Sequence, residues 1–366
     1  MQEKQRRFLK DLCETATPSG FELEGQRVVA AYLKDSADKI TLDVHGNLIC
    51  VLNPDAPRRV MIDGHVDEIG FLVQHIDDNG FIYVAAIGGI NLPTLPGERV
   101  VFYGPQGRVP GVFGRKAIHL MTAADRDAKI NDISELWIDI GAKNAAEAAE
   151  AVPLGSYGVV DAGWRELRNN LVACRGFDDK AGVYVVAEAF RILAERRAAG
   201  RGPKVGVYCL SGTQEEIGLL GAKTVAFGID PHASISVDVT GTSDCPGGAD
   251  PKVWASSVKL GGGPVLQLGA IYDKAFNAHI ESVAKTSGIT LQPQPRSHNA
   301  CTYAWYIHTT RAGVPVTLVS IPTRAGHSGA ETISLDDLDQ CALIVADAIE
   351  ALPEDFDFTP GFITNK

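Results

Sequence analysis

From about residue 165 onward the chain alternates between apolar runs of strand length and longer amphipathic runs. That alternation constrains the fold more than any other feature. "NNLVACRGF" reads as a strand, and "DKAGVYVVAEAFRILAERRAAG" as an amphipathic helix closed by a glycine. Then come strand "KVGVYCLSG", helix "GLLGAKTVAF", strand "ASISVDV", helix "YDKAFNAHIESVAKTSG", strand "PVTLVSIP" and helix "SLDDLDQCALIVADAIEAL". Strands that follow one another in parallel need helical crossovers, so this order predicts an open α/β sheet.

The first part of the chain reads differently. Residues 1–35 suggest two helices around the turn "TPSGFE", with Phe8, Leu9 and Leu12 on one face and Val28, Val29, Tyr32 and Leu33 on another. Strand-like runs "ITLDVHGNLICVL" and "RRVMIDGHVDEIGFLVQHI" follow. Residues 70–163 are rich in Gly, Pro, Val and Ile in short runs, with turn signals every 8–12 residues or so, the pattern of a small β barrel or sandwich. One alanine-rich helix, "NAAEAAEAV", interrupts it. This all-β block reads as an insertion in the α/β domain.

Formal net charge is −11 and the pI about 5.3, which argues against nucleic acid as a partner. No run approaches the ~18 apolar residues of a membrane span, and the charged N-terminus lacks the apolar stretch of a signal peptide. The seven cysteines are scattered without CxxC pairing, as expected of reduced thiols in a cytoplasmic protein. They do not form a zinc site.

In open α/β sheets, ligands gather beyond the carboxyl ends of the strands. Few acids and histidines directly follow apolar runs: His65 and Asp67, Asp178 and Asp179, Glu215 and Glu216, Asp238, and His327. Each alone is more often structural, as a helix cap, a first-turn acid or a satisfied histidine. Together they load five strand ends, on one rim if the sheet is mainly parallel there. Several carboxylates sharing one site need a positive charge to stay ionised. Two histidines and three or four carboxylates, with no cysteine, suit two catalytic Zn²⁺-like ions better than one closed structural ion.

In chain order, "MIDGHVDEIGFLV", "GFDDKAG", "SGTQEEIGLLGA", "SISVDVT" and "GHSGAET" resemble the motifs of the M42 family of metallo-aminopeptidases, the tetrahedral and glutamyl-aminopeptidase-like enzymes. The resemblance spans nearly the whole chain. It implies a mixed-sheet α/β catalytic domain of the two-zinc exopeptidase type, residues 1–68 and 164–366. A small PDZ-like β-barrel domain, residues 69–163, would be inserted for oligomerisation, from dimer to tetrahedral dodecamer. It implies two divalent ions per subunit, Zn²⁺, Co²⁺ or Mn²⁺, and short peptide substrates. By the same resemblance His65 and Asp238 hold one ion, Glu216 and His327 the other, and Asp178 bridges both. Asp67 stands behind His65 and accepts its other N–H. The Asp178–Asp179 peptide bond is expected to be cis. Glu215 is then the general base, moving a proton from the attacking water to the leaving amine.

Three departures from the family pattern, Lys180, Tyr303 and Gly329, are expected to lie near the site and to bear on substrate preference. The nearest alternatives are a two-metal amidase or deacylase acting on small N-acyl peptides, and a non-catalytic oligomeric scaffold on the same fold. A glucanase is disfavoured, because sugar hydrolysis normally uses a metal-free carboxylate pair. His45, His75, His119, His232, His298 and His308 carry no assigned role.

Overall fold

The computed structural model describes residues 1–124, 129–248, 250–252, 257–297 and 301–359; His298 lies outside them. The centre is an eight-stranded mixed sheet. Its strands, numbered along the chain, are β1 (Lys39–Leu42), β2 (Leu48–Leu52), β3 (Arg59–His65), β12 (Gly206–Gly212), β13 (Ala233–Gly241), β14 (Val265–Gly269), β15 (Gln292–Arg296) and β16 (Val316–Thr323). The spatial order is β1-β2-β12-β3-β13-β16-β14-β15. The inner strands β12, β3, β13 and β16 run parallel, and β2 and β14 pair antiparallel outside them. The C-terminal ends of the four inner strands therefore share one rim.

Both faces of this sheet are covered, so the inner strands are apolar on both sides. On one face Val60, Ile62, Val207, Ile235, Val237, Val319 and Ile321 pack against α1 (Glu3–Glu14), α4 (Phe177–Ala198), α6 (Lys274–Ser287) and α8 (Leu335–Glu350). On the other, Met61, Leu210, Val316 and Leu318 meet α5 (Leu220–Ile229) and α7 (Ala304–Ile307). The run expected to be an amphipathic helix, α4, is instead buried continuously from Asp179 to Phe190. It crosses β3 closely because two glycines meet there. A Cβ on Gly64 would stand 2.8 Å from the main-chain carbon of Gly182.

The run "RRVMIDGHVDEIGFLVQHI" divides at 66–69 between two sheets. Beyond β3, the strand β4 (Gly70–Ile76) enters a closed antiparallel barrel with β5 (Ile82–Ile87), β8 (Trp137–Asp139), β7 (Gly107–Gly114), β6 (Arg99–Gly104) and β9 (Tyr157–Val160). Phe71, Val73, Val100, Phe102, Phe113 and Ile138 fill the barrel. The alanine-rich helix is α3 (Ala145–Ala151), capped by the Asn144 side chain, which accepts from the Glu147 amide.

One feature departs from the expected rim. Asp178 follows a strand of a separate, three-stranded antiparallel sheet: β10 (Arg165–Glu166), β11 (Leu171–Cys174) and β17 (Glu331–Ser334). Its turn is brought to the rim from the side. The Asp178–Asp179 peptide bond is cis.

Candidate metal centre

The four inner strands deliver their cargo by position. β3 ends on His65; β12 ends three residues before Glu215; Asp238 lies near the end of β13; and His327 follows β16. Asp178 completes the set from the three-stranded sheet. The side chains fall into two groups whose ligand atoms lie within 4.8 Å of one another: His65, Asp179 and Asp238, and Asp178, Glu216 and His327. Asp178 faces both. Its Oδ1 is 3.4 Å from His65 Nε2, and its Oδ2 is 3.2 Å from His327 Nε2.

Both imidazoles have their far nitrogen engaged. His65 Nδ1 is 3.0 Å from the Asp67 carbonyl oxygen, and His327 Nδ1 is 2.5 Å from the Gly89 carbonyl oxygen. A carbonyl only accepts, so each Nδ1 carries a proton and each Nε2 is turned toward the carboxylates. The Asp67 carboxylate, expected behind the His65 ring, is 3.5 Å from Nδ1. Its oxygens do other work. Oδ1 accepts the Glu215 amide at 3.0 Å, and Oδ2 accepts the Glu216 amide at 3.1 Å and the Ser19 hydroxyl at 2.6 Å. Asp67 thus fixes the backbone of the adjacent glutamates.

The electrostatics describe a pocket short of positive charge. Burial, reinforced by Asp178, pushes Glu216 up to about 8 and Asp238 up to about 7. Burial also raises Glu215 well above the usual carboxylate range, against the pull of His65. His327, hydrogen-bonded to Asp178, rises to about 10. Asp178 stays low, because contact with His327 and His65 outweighs its burial. Glu216 Oε1 is buried with no hydrogen-bond partner. Carboxylates, two imidazole Nε2 atoms and an orphaned acceptor make a donor set suited to divalent cations, which would take the place of the Nε2 protons and keep these acids ionised.

Several parts of the centre were not assigned from sequence. Asp179, itself in the first group, accepts the amides of His65 at 3.2 Å and Gly182 at 2.9 Å, so its carboxylate joins β3 to α4. Glu331, within the quoted run "GHSGAET", accepts the amides of Asp178 and His327. Gly88 and Gly89, from the barrel, close on the second group. Gly88 has φ +75°, and a Cβ there would lie 2.8 Å from Ile69 Cγ2 and 3.1 Å from Glu216 Oε2. Gly88→Ala is expected to lower kcat/KM by about tenfold to a hundredfold through displacement of Glu216. Unchanged kinetics would show that Glu216 tolerates the shift.

The three departures lie away from the cavity lining. Lys180 is fully buried and donates to Glu68 Oε1 at 2.6 Å and to the Thr15 carbonyl at 2.7 Å. Tyr303 is buried, with its hydroxyl on the Thr213 carbonyl at 2.5 Å. Gly329 faces Val160 of the barrel. The cavity beside the ligand groups measures about 1000 Å³. Thr240, Thr242, Cys245, Arg296, Cys301 and Arg324 are part of its wall.

Residues 46–344 match the profile of the family described as M42 glutamyl aminopeptidase. The chain is 34% identical to the lysyl aminopeptidase of Pyrococcus furiosus over 357 residues, 96% of this chain and 99% of that protein. It superposes on the TET aminopeptidase of a marine sediment Thaumarchaeota archaeon with a TM-score of 0.89 at 31% identity, covering 96% and 97% of the two chains. With the TET1 peptidase of Pyrococcus horikoshii, which assembles into a tetrahedron or a large octahedral shell, the TM-score is 0.82 at 28% identity, covering 95% and 100%. Matched over most of its length in sequence, with the mixed sheet and closed barrel of those structures, the chain belongs to the M42 family of peptidases.

Proposed function

We propose that this M42 aminopeptidase removes the N-terminal residue of short peptides with Glu215 as general base beside two divalent cations, Zn²⁺, Co²⁺ or Mn²⁺. The observation that carries the reading is the division of labour between neighbours. The Glu216 carboxylate belongs to a ligand group with Asp178 and His327, while Glu215 lies outside both groups, with Oε2 3.8 Å from His65 Nε2. His65 and Asp238 would hold one ion, Glu216 and His327 the other, and Asp178 would bridge them. Such ions, when bound, polarise a peptide carbonyl and lower the pKa of water. Glu215, kept apart from the ligands, takes the proton from the attacking water and delivers it to the departing amine. Asp67 holds both glutamate amides and so orients base and ligand together.

The proposed division is a catalytic domain of 1–68 and 164–366 with the barrel region, 69–163, inserted as an oligomerisation domain. The assemblies of the structural neighbours support a homo-oligomer, and light scattering on the purified protein tests it. No described helix is long and apolar enough to cross a membrane. All seven cysteines are unbridged, which supports a cytoplasmic location.

The lysyl preference in one relative's name is not carried over. Arg296 and Arg324 line this cavity, with Arg324 paired to Asp244 at 2.8 Å. The same wall carries Asp178, Glu215, Glu216 and Asp238, so the two arginines do not by themselves set a side-chain preference.

The test of the main reading compares free-amine peptides with their N-acetyl counterparts, before and after chelation and with Zn²⁺ or Co²⁺ restored. The expected result is cleavage of the free-amine set alone, abolished by the chelator and recovered with metal. Cleavage of only the acetylated set would make the enzyme a deacylase.

A further inference from the structure

We infer that Glu331 is a positioning residue that aligns the second ligand group, a role that rests on the reading of Asp178, Glu216 and His327 as holding one ion. Glu331 is buried, and its two carboxylate oxygens serve two separate segments. Oε2 accepts the main-chain amide of Asp178 at 2.9 Å, and Oε1 accepts that of His327 at 2.9 Å. One side chain therefore sets the spacing of two ligands that are 149 residues apart, 327 minus 178.

The local fold places it for this. In the three-stranded sheet Glu331 stands directly opposite Cys174, four residues before Asp178. On its own strand it follows His327 by four residues. The loop between them is closed by reciprocal main-chain hydrogen bonds of Arg324 and Thr332, at 3.0 and 2.9 Å. Within that loop His327 has φ +58° and Ala325 φ +55°. Left-handed backbone at a non-glycine residue is unfavourable and persists only where surrounding bonds hold it. The Glu331–His327 amide bond is one such hold, and it aims the imidazole whose Nε2 lies 3.2 Å from Asp178 Oδ2. Asp67 does the same for the amides of Glu215 and Glu216. Two carboxylates, each spanning two amides, fix the backbone beneath four of the functional side chains.

The consequence is selective. Among the described residues Glu331 accepts the amides of Asp178 and His327 but none from His65 or Asp238, so a change at Glu331 strikes one ion more than the other. Glu331→Gln keeps the size but leaves only one acceptor oxygen for two amides. The experiment titrates Zn²⁺ against a chromophoric chelator in metal-free wild type, E331Q and H327A, with Co²⁺ absorption spectra and thermal melts of each. Wild type is expected to bind two equivalents. E331Q is expected to retain the tighter one, to lose about 10–100-fold in affinity for the second, and to show an altered Co²⁺ spectrum at the second equivalent. H327A is expected to lose the second equivalent outright.

A purely structural role would lower the melting temperature and leave the second affinity alone, or weaken both sites equally; either result overturns the proposal. Should E331Q fail to fold, E331D carries the same expectation, because it keeps the charge and withdraws the oxygens by one methylene. Failure of both variants to fold as apoproteins also overturns it. Wild type that binds fewer than two ions, or H327A that binds both, would instead sink the ligand assignment beneath it.

Discussion

Glu215→Gln is expected to lower kcat by about 10²–10⁴-fold with little change in KM or in bound metal. The substitution is nearly isosteric. The Glu215 amide stays on Asp67 Oδ1, so the backbone that also carries Glu216 is undisturbed. What disappears is one proton acceptor. An interaction that matters only in the transition state should reduce kcat and kcat/KM together. Metal analysis of the purified variant separates this from a ligand role. A variant retaining more than a tenth of wild-type kcat would place the base elsewhere. A variant that loses a metal equivalent would make Glu215 a ligand, and the distinction between the two glutamates would collapse.

The second large effect is expected away from the reacting atoms. Glu68 is buried between two buried cations. Arg175 Nη1 lies 2.7 and 2.6 Å from its two oxygens, Lys180 Nζ 2.6 Å from Oε1, and the Thr17 amide donates at 3.0 Å. Burial pushes Glu68 up, yet the charges of Arg175 and Lys180 hold it below the usual carboxylate value. Burial lowers Lys180, with Glu68 pulling the other way. Glu68→Ala would leave two cations without their shared anion. Breaking a buried pair in this way costs about 3–5 kcal/mol, which for a chain of this size is a fall in melting temperature of roughly 10 °C.

A double variant tests the cause. If charge imbalance dominates, Lys180→Met added to Glu68→Ala should recover part of the loss, because the two sites share one network. A melting temperature within a degree of wild type for Glu68→Ala alone would mean that the cluster adds nothing to stability. The same bonds explain the departure at Lys180. Its ammonium ties the first turn of α4, just after Asp178 and Asp179, to Thr15 at the end of α1 and to Glu68, and it supports the site from below without entering the cavity.

The candidate site residues were legible because each sits just after, or at the end of, an apolar run, and the open-sheet rule says that such ends converge. That reasoning gathered His65, Glu215, Glu216, Asp238 and His327, whose strands lie in the parallel core of one sheet. It reached Asp178 by a different route from the one the fold uses. Nothing in "LVACRGF" distinguishes a strand of the main sheet from a strand of a small side sheet, since both are short and apolar. The strands β14 and β15 were not recognised either. β15, "QPQPR", carries two prolines, tolerated only because it lies at the sheet edge, where a missing amide breaks no inner ladder.

The supporting residues were the least legible. Glu331 and Asp179 work by accepting main-chain amides, and any carboxylate in any turn can do that. Gly89 contributes a carbonyl, which every residue has. Their roles depend on which backbone segment lies within 3 Å or so. The burial of α4 on all sides has the same origin. Its small residues, Ala181, Gly182, Ala187 and Ala189, permit close approach, but only the sheet beneath and α1 and α8 beside it decide that every face is used.

Periodicity and the placement of turn residues are local properties, so the sequence by itself determined the α/β alternation, the β-rich block and the set of acids and histidines at strand ends. Which oxygen faces which imidazole, which amide each carboxylate holds, and that a barrel glycine closes on His327 depend on contacts between segments far apart in the chain. Only the tertiary structure decided those, because hydrogen bonds and charge pairs act over a few ångströms and are indifferent to distance along the sequence.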